Sequence, residues 1–280
     1  MATDKAVATQ SDSFELAGYA PDADSAMEVV KENLRGDAIT EFDLPRVKVP
    51  AGGGKAWVIP TFEGEDITET LTGVIVDWGV RRQYWESSTS DGEGGPPDCS
   101  SVDGEVGIGN TGGISSVINS YDVDGKPAAY EYDCEACPLN QFGTAVGDDG
   151  QPREGKACKE QRMLFLLPEG ELLPWAVPMP PTSIGPVRRY FQRMSSRAIP
   201  VYGVVTTIRL EQLRNGPNLY SVAAPSADRR LDSDELARVK SYRAGLLPML
   251  ATVQATPPTE GGDWPPEPDS REDDPGPEHE

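Results

Sequence analysis

The sequence has very little histidine and no long hydrophobic run. Its single histidine, His279, is the next-to-last residue, and no G-x-S-x-G motif or paired-carboxylate spacing is present. We therefore expect no enzymatic activity. No stretch approaches the roughly 20 apolar residues of a membrane-spanning helix, and the first residues lack the basic start and apolar run of a secretory signal. We expect a cytoplasmic protein with no membrane partner.

Positive charge is scarce overall but unevenly distributed. The 280 residues carry a formal net charge of −21. Residues 152–243 contain fifteen basic and nine acidic residues, a net charge of +6, whereas residues 257–280 contain one arginine and nine acidic residues, a net charge of −8. An acidic chain is not typical of proteins that bind phosphate backbones. The basic central region nevertheless leaves a nucleic-acid partner open.

The two ends differ in composition from the middle of the chain. Residues 1–21 are polar and aperiodic, which predicts a flexible N-terminus. Residues 251–280 are rich in proline and acidic residues and cannot bury enough apolar surface to offset the entropy of ordering. We expect a disordered acidic tail there, and a single domain over residues 22–250.

Periodicity and capping signals predict a mainly β protein with a few helices, an α+β fold. Helices are expected at about residues 23–35, 183–196 and 233–247. A long curved strand or a tight pair is expected at 68–85, with shorter strands at 130–132, 163–167, 172–177, 201–210 and 219–223. Strands of this rhythm, separated by loops rich in glycine and proline, favour an antiparallel β-barrel.

The four cysteines predict one structural zinc ion. Cys134 and Cys137 form a C-x2-C turn, which presents two thiolates to one tetrahedral ion, and Cys158 follows after twenty residues. Cys99 is the expected fourth ligand, because the only histidine lies in the tail. Closed coordination by four cysteines favours a structural over a catalytic metal. The alternative is a redox-active C-x2-C with Cys99 and Cys158 as ordinary buried thiols.

Basic residues mixed with aromatic residues suggest a surface for single-stranded nucleic acid, where bases stack and phosphates meet cations. The candidates lie in four segments, and the same aromatic residues could instead belong to the core. They are Arg46, Lys48, Lys55 and Trp57; Trp78, Arg81, Arg82, Tyr84 and Trp85; Lys156, Lys159 and Arg162; and Arg189 and Arg193 on the second expected helix.

The order of several segments resembles a group of single-stranded DNA-binding proteins of bacteriophages and related mobile elements. These segments are LPRVKVPAGGG, TGVIVDWGVRRQYW, PPDCSSVDG, CEACPLNQFGT, GKACKEQRMLFLL and MPPTSIGPVRRYF, within residues 42–247. The resemblance implies an OB-like barrel with a zinc loop at residues 99–162, located in the bacterial host cytoplasm if the protein is phage-encoded. It also implies an acidic tail that contacts replication proteins, although Glu280 stands where several such proteins have an aromatic residue.

The sequence therefore predicts a non-enzymatic protein that coats and protects single-stranded DNA in replication or recombination, without sequence preference. The alternative is a zinc-stabilised protein-interaction adaptor without affinity for DNA. A third possibility, a metal-dependent enzyme, would need an open coordination position and hence a site with fewer than four cysteine ligands.

Overall fold

The computed structural model describes residues 14, 23–35, 44–61, 64–85, 97–109, 117–123, 126–147, 150–216 and 218–254. Three α-helices occur in these residues, α1 (Ala23–Leu34), α2 (Pro181–Ser195) and α3 (Ser233–Gln254). The strands are β1 (Trp57–Thr61), β2 (Gly64–Thr68), β3 (Thr70–Tyr84), β4 (Cys99–Ser101), β5 (Val106–Gly109), β6 (Val117–Val123), β7 (Lys126–Asp133), β8 (Ala145–Val146), β9 (Pro152–Arg153), β10 (Lys159–Leu167), β11 (Trp175–Met179), β12 (Val204–Asn215) and β13 (Asn218–Arg230).

Strand β3 is the centre of the main sheet. One of its edges pairs antiparallel with β10 from Val74 to Gln83, with a register shift that gives β3 one extra residue near Val76. The other edge is divided, because Thr70–Val74 pair with β12 and Arg82–Tyr84 pair with β4. A strand rich in β-branched and aromatic residues is long enough to hold both partners. The sheet therefore forks on one side of β3.

Helices cover both faces of this sheet. Val187, Tyr190 and Phe191 of α2 pack on one face in a core that includes Ile75 and Leu164. On the other face, α3 and α1 share a second core with residues of β3 and β10 that alternate with those of the first core. Members of this second core include Val30, Val76, Phe165, Val239, Tyr242 and Leu246. The result is a layer of antiparallel strands between two helical layers.

The expected closed barrel is not found among the described strands. The nine-stranded sheet follows the order β11-β10-β3-β4-β5-β7-β6, with β12 and β13 branching from β3, and the terminal strands β11 and β6 do not pair. The strand rhythm suggested a barrel because it does not distinguish open from closed sheets. In this protein both faces of the central strands carry apolar residues and are covered by helices, whereas a small barrel encloses one face.

The predicted mainly β, α+β composition and the three helices are confirmed, and the segment at 68–85 is one long strand. Helix α3 continues to Gln254, past the expected end at 247. No helix in the described ranges has the length and hydrophobicity to cross a membrane. Residues 251–254 of the expected disordered tail belong to α3, because the helix continues past the expected boundary, and the rest of that tail lies outside the described residues. So does the expected flexible N-terminus except Phe14, whose side chain is buried in the second core.

The N-terminus of α3 is built around the buried carboxylate of Glu235. Asp232 accepts hydrogen bonds from the backbone N–H of Glu235 at 2.8 Å, and Glu235 accepts one from the N–H of Asp232 at 2.8 Å, which is a capping box. Arg229 donates to both Glu235 oxygens at 2.8 and 2.9 Å, and the backbone N–H of Phe14 donates to one of them. The hydrogen bonds from Arg229 above all, with those from the backbone, lower the pKa of Glu235 to about 2 despite its burial.

We expect Glu235→Gln to lower the free energy of unfolding at pH 7 by about 3 kcal/mol, because folding lowers the pKa of Glu235 from 4.5 to about 2 and each pKa unit corresponds to about 1.4 kcal/mol. The carboxylate stabilises the fold fully above its unfolded pKa near 4.5, and this contribution is lost as the pH falls towards 2. Urea unfolding at pH 7 and pH 3 should therefore show a smaller difference between variant and native protein at pH 3. The exposed Glu211→Gln is the control; a difference independent of pH would contradict the assignment.

Candidate metal centre and nucleic-acid interface

The structure brings all four cysteines to one cavity. Cys99 lies on β4, Cys134 and Cys137 lie in the turn after β7, and Cys158 lies just before β10. They meet because the C-terminal part of β3 pairs with both β4 and β10: Tyr84 lies opposite Cys99, and Gln83 lies opposite Lys159. The cavity has a volume of about 20 Å³, which is roughly the space that one small guest such as a water needs.

Two of the cysteine sulfur atoms lie close to the backbone of Gly107 on β5. A Cβ added at this glycine would lie 3.0 Å from the Sγ of Cys99 and 3.5 Å from the Sγ of Cys134. The glycine therefore leaves the space that these two sulfur atoms use. All four cysteines are free thiols, so none of them is paired in a disulfide.

Backbone hydrogen bonds hold the cysteine segments together. The N–H of Cys134 donates to the carbonyl of Glu105 at 2.9 Å, and the N–H of Cys158 donates to the carbonyl of Leu139 at 2.9 Å. The buried side chain of Asn140 donates to the carbonyl of Cys134 at 2.6 Å. These bonds join three segments that are far apart in the sequence, and the cysteines are held next to one another by the fold itself.

The donor set suits zinc, although the structure does not contain a preformed coordination sphere. Four thiol sulfurs facing one small cavity are the ligand type of structural zinc sites. Within the described ranges, however, no group of three or more His, Cys, Asp or Glu residues meets the geometry of a metal site. The fit between these cysteines and a zinc ion therefore rests on the chemistry of the four sulfur donors and on the cavity that they share.

The thiols favour their protonated form in this environment. Burial, followed by the neighbouring thiols, raises the pKa of Cys99 to about 12. Burial also raises the pKa of Cys158, to about 11, and the pKa of Cys134. The positive charge of Arg82 opposes the increase at both cysteines. A cation that binds here would have to displace the thiol protons, as metals bound by cysteine do.

Two arginines that the sequence placed on a nucleic-acid surface hold the cysteine segments onto β3 instead. Arg81 is only 5% exposed and donates to the carbonyl of Val102. Arg82 donates to the carbonyl of Gly104 at 3.0 Å and to Asn140, and forms an ion pair with Glu160 at 3.2 Å. Their charges are used inside the protein, so we withdraw both from the interface.

Trp57 is also an internal residue. Its side chain is fully buried in the core beneath α2, and its indole N–H donates to the carbonyl of Ile208 at 3.2 Å. The neighbouring glycine loop is held against β12 and β13, where Gln212 donates to the carbonyl of Gly53 and Ser221 to that of Gly54, both at 2.7 Å. Lys55 follows this loop and is exposed, as is Lys48. Of the predicted nucleic-acid-binding residues in this segment, Lys48 and Lys55 are therefore exposed, whereas Trp57 belongs to the core.

Arg46 belongs to neither the loop nor the cysteine cavity. It forms a parallel bridge with Ala176, at the outer edge of β11. Its Nε is buried and has no hydrogen-bond partner.

Trp78 and Arg162 form a surface cluster with residues of α2. The Trp78 side chain is 42% exposed, and its ring centroid lies 5.2 Å from that of Phe191. The guanidinium carbon of Arg162 lies 5.2 Å from the Trp78 ring centroid, within the range of a cation–π contact. The buried Nε of Arg162 has no hydrogen-bond partner. Burial lowers the pKa of Arg162, as does the nearby Arg188, whereas Glu160 opposes the shift.

Helix α2 adds exposed positive charge beside this cluster. Arg188, Arg189, Arg193 and Arg197 are all exposed, and the helix contains no acidic residue. Arg188 is close enough to Arg162 to influence its ionisation, and it precedes Phe191 by one helical turn. Phe191 itself is only 8% exposed and belongs to the core beneath α2, so it supports the Trp78 ring and does not face solvent.

The remaining candidates lie at the cysteine loops. Tyr84 lines the cysteine cavity, and Trp85 is half-buried. Lys156 donates to Asn140 at 3.1 Å, and the exposed Lys159 donates to the carbonyl of Lys156 at 2.9 Å. The sequence prediction missed Phe142, whose side chain is 80% exposed. The available signal was an aromatic residue in the otherwise polar segment 140–143, four residues after Pro138, where the short 3-10 helix begins.

Comparisons of the chain with protein-family models, with curated proteins and with solved structures find no match.

Proposed function

We propose that this protein binds single-stranded DNA without sequence preference, as a coating protein in replication or recombination rather than as an enzyme. The binding surface consists of Trp78, Arg162 and Arg188, with the Trp78 ring packed against the buried Phe191, and is extended by Arg189 and Arg193 along α2. We call it the Trp78 surface. A bacteriophage origin, the host cytoplasm as its location, and replication partners for the acidic tail are parts of the same proposal that rest on the sequence resemblance.

The observation that carries the proposal is the contact between Trp78 and Arg162. An exposed tryptophan offers a flat ring on which a base can stack, and an arginine beside it can neutralise the adjacent phosphate. Arg162 is half-buried, so part of its side chain remains accessible to a phosphate while its guanidinium stays beside the ring.

The charge distribution supports the same surface. Arg162, Arg188, Arg189 and Arg193 lie on or next to a helix without acidic residues. Electrostatic attraction at an ionic strength of 0.15 M acts over about 8 Å, so local charge matters more than the total charge of a chain. The overall net charge of −21 therefore does not oppose binding at this place.

We further propose that Cys99, Cys134, Cys137 and Cys158 hold one structural zinc ion. The ion would bind four thiolates, offset half of their negative charge and connect three chain segments, which the fold already brings to one cavity. Its role is to stabilise the loops between residues 99 and 162 against β3. Because Arg82 links these loops to β3 and pairs with Glu160 on β10, their stability also bears on the strand that carries Arg162.

Gly107→Ala should lower zinc affinity by about 10- to 100-fold, because the added methyl group would lie within 3.5 Å of the sulfur atoms of both Cys99 and Cys134. Gly155→Ala is the matched control, since its Cβ would meet only the side chain of Ala145, at an ordinary contact distance of 3.5 Å. Metal analysis and competition with a chelator measure the effect. Cys99→Ser should also lose zinc; full retention of zinc in this variant would remove Cys99 from the site.

The native zinc-loaded protein should bind fluorescent oligothymidine at low salt, with weaker binding as salt rises. Arg162→Gln should lower the affinity by about tenfold and reduce the salt slope by about 0.7, the value for one phosphate contact on a single strand. Trp78→Leu should cost about 1–3 kcal/mol, the loss of one stacked base. Fluorescence anisotropy across a salt series measures both effects.

Arg214→Gln provides the control for these variants. It removes the same charge from an exposed position on β12, a strand that pairs with the opposite end of β3. We expect it to bind as the native protein does. Equal losses in Arg162→Gln and Arg214→Gln would indicate general electrostatics rather than a Trp78 surface. If the native protein retained no oligothymidine at low salt, the DNA-binding proposal would be wrong and the adaptor function would be favoured.

A further inference from the structure

A strongly exposed aromatic side chain lies on the cysteine loop, away from the Trp78 surface. Phe142 is 80% exposed and follows the short 3-10 turn Pro138–Asn140. The Nζ of Lys156 lies 5.0 Å from its ring centroid. A cation therefore already covers part of the ring, and most of the remaining surface faces solvent.

The backbone that carries Phe142 is well fixed for such an exposed segment. The N–H of Gly143 donates to the carbonyl oxygens of Glu154 and Gly155 at 3.1 and 3.0 Å, and the N–H of Ala145 donates to that of Gly155 at 3.0 Å. Thr144 Oγ1 donates to the carbonyl of Gln141 at 2.7 Å and accepts from the N–H of Ala157 at 3.0 Å. The ring is thus held out into solvent by an ordered turn.

Lys156 is also held in place. Its Nζ donates to the Oδ1 of Asn140 at 3.1 Å, and the side-chain amide of Asn140 donates to the carbonyl of Cys134. Lys159 is exposed, and its Nζ donates to the carbonyl of Lys156 at 2.9 Å. One exposed ring and two lysines thus share a small area that is connected through Asn140 to the cysteine cavity.

We propose that Phe142 and Lys156 form a second contact for single-stranded DNA, in which an unpaired base stacks on the exposed face of Phe142 and Lys156 and Lys159 meet the flanking phosphates. This inference rests on the proposed DNA-binding function and extends it to a site on the cysteine loop. A planar ring with a cation beside it matches a nucleobase and its phosphate. A partner protein would instead be expected to need a larger apolar patch around the ring.

The two kinds of contact at this place should respond differently to salt. Stacking of a base on Phe142 involves an uncharged side chain, whereas Lys156 and Lys159 would meet phosphates through their charge. The contribution of Phe142 to affinity should consequently depend little on salt, unlike that of Arg162.

The test compares three variants in binding a sixteen-residue oligothymidine. Phe142→Leu keeps apolar volume but removes the aromatic face, and should weaken binding by about 5- to 150-fold, as expected for one stacked base. Phe142→Tyr keeps the face and should bind within about twofold of native. Val146→Ala is the control, because Val146 is an exposed apolar residue of the same loop, 64% exposed, that cannot stack. Zinc content and circular dichroism verify that each variant is folded.

The outcomes separate this inference from the proposed function. If the native protein binds and Phe142→Leu binds equally well, the second contact is refuted while DNA binding stands. A loss in Phe142→Tyr as large as in Phe142→Leu would refute stacking, as would a loss in Val146→Ala. If the native protein does not bind, DNA binding itself fails. Ultraviolet cross-linking to oligothymidine that carries 5-iodouracil should label the peptide containing Phe142, and its absence among labelled peptides would contradict the contact.

Discussion

The divided edge of β3 is the constraint on which the rest of the structure depends. One continuous strand pairs with β10 along one side, and with β12 and β4 in succession along the other. The first half of β3 belongs to the helix-covered core, and its second half reaches the cysteine cavity. Any change that moved β3 by one residue would exchange its two faces, and would move core residues and cavity residues together.

Sequence alone predicted the local features well, because they depend on short-range chemistry. The start of α3 at residue 233, the strand composition of residues 68–85 and the C-x2-C spacing each follow from neighbouring residues. The sequence also selected all four cysteines, which share one cavity. Sheet closure was mispredicted, because strand spacing carries no information on whether the terminal strands β11 and β6 meet.

The site residues that the sequence misplaced have a common physical explanation. Arg81 and Arg82 look like a surface pair, but backbone carbonyls of the segment 102–104 accept their hydrogen bonds. These carbonyls come from a part of the chain about twenty residues away, and only the fold shows that they are near. Trp57 was misplaced for the same reason, because its partner Ile208 is 151 residues distant. Phe142 was missed because an isolated aromatic residue in a loop has no periodic pattern.

The antiparallel register between β3 and β10 also determines the distance between the Trp78 surface and the cysteine loops. Leu164 lies opposite Trp78 and Lys159 lies opposite Gln83, so the Trp78 surface and the start of the cysteine loops are about five residues apart along one strand. At about 3.3 Å per residue this is roughly 17 Å. Under the proposed DNA-binding function, a single strand that contacted both places would have to span this distance.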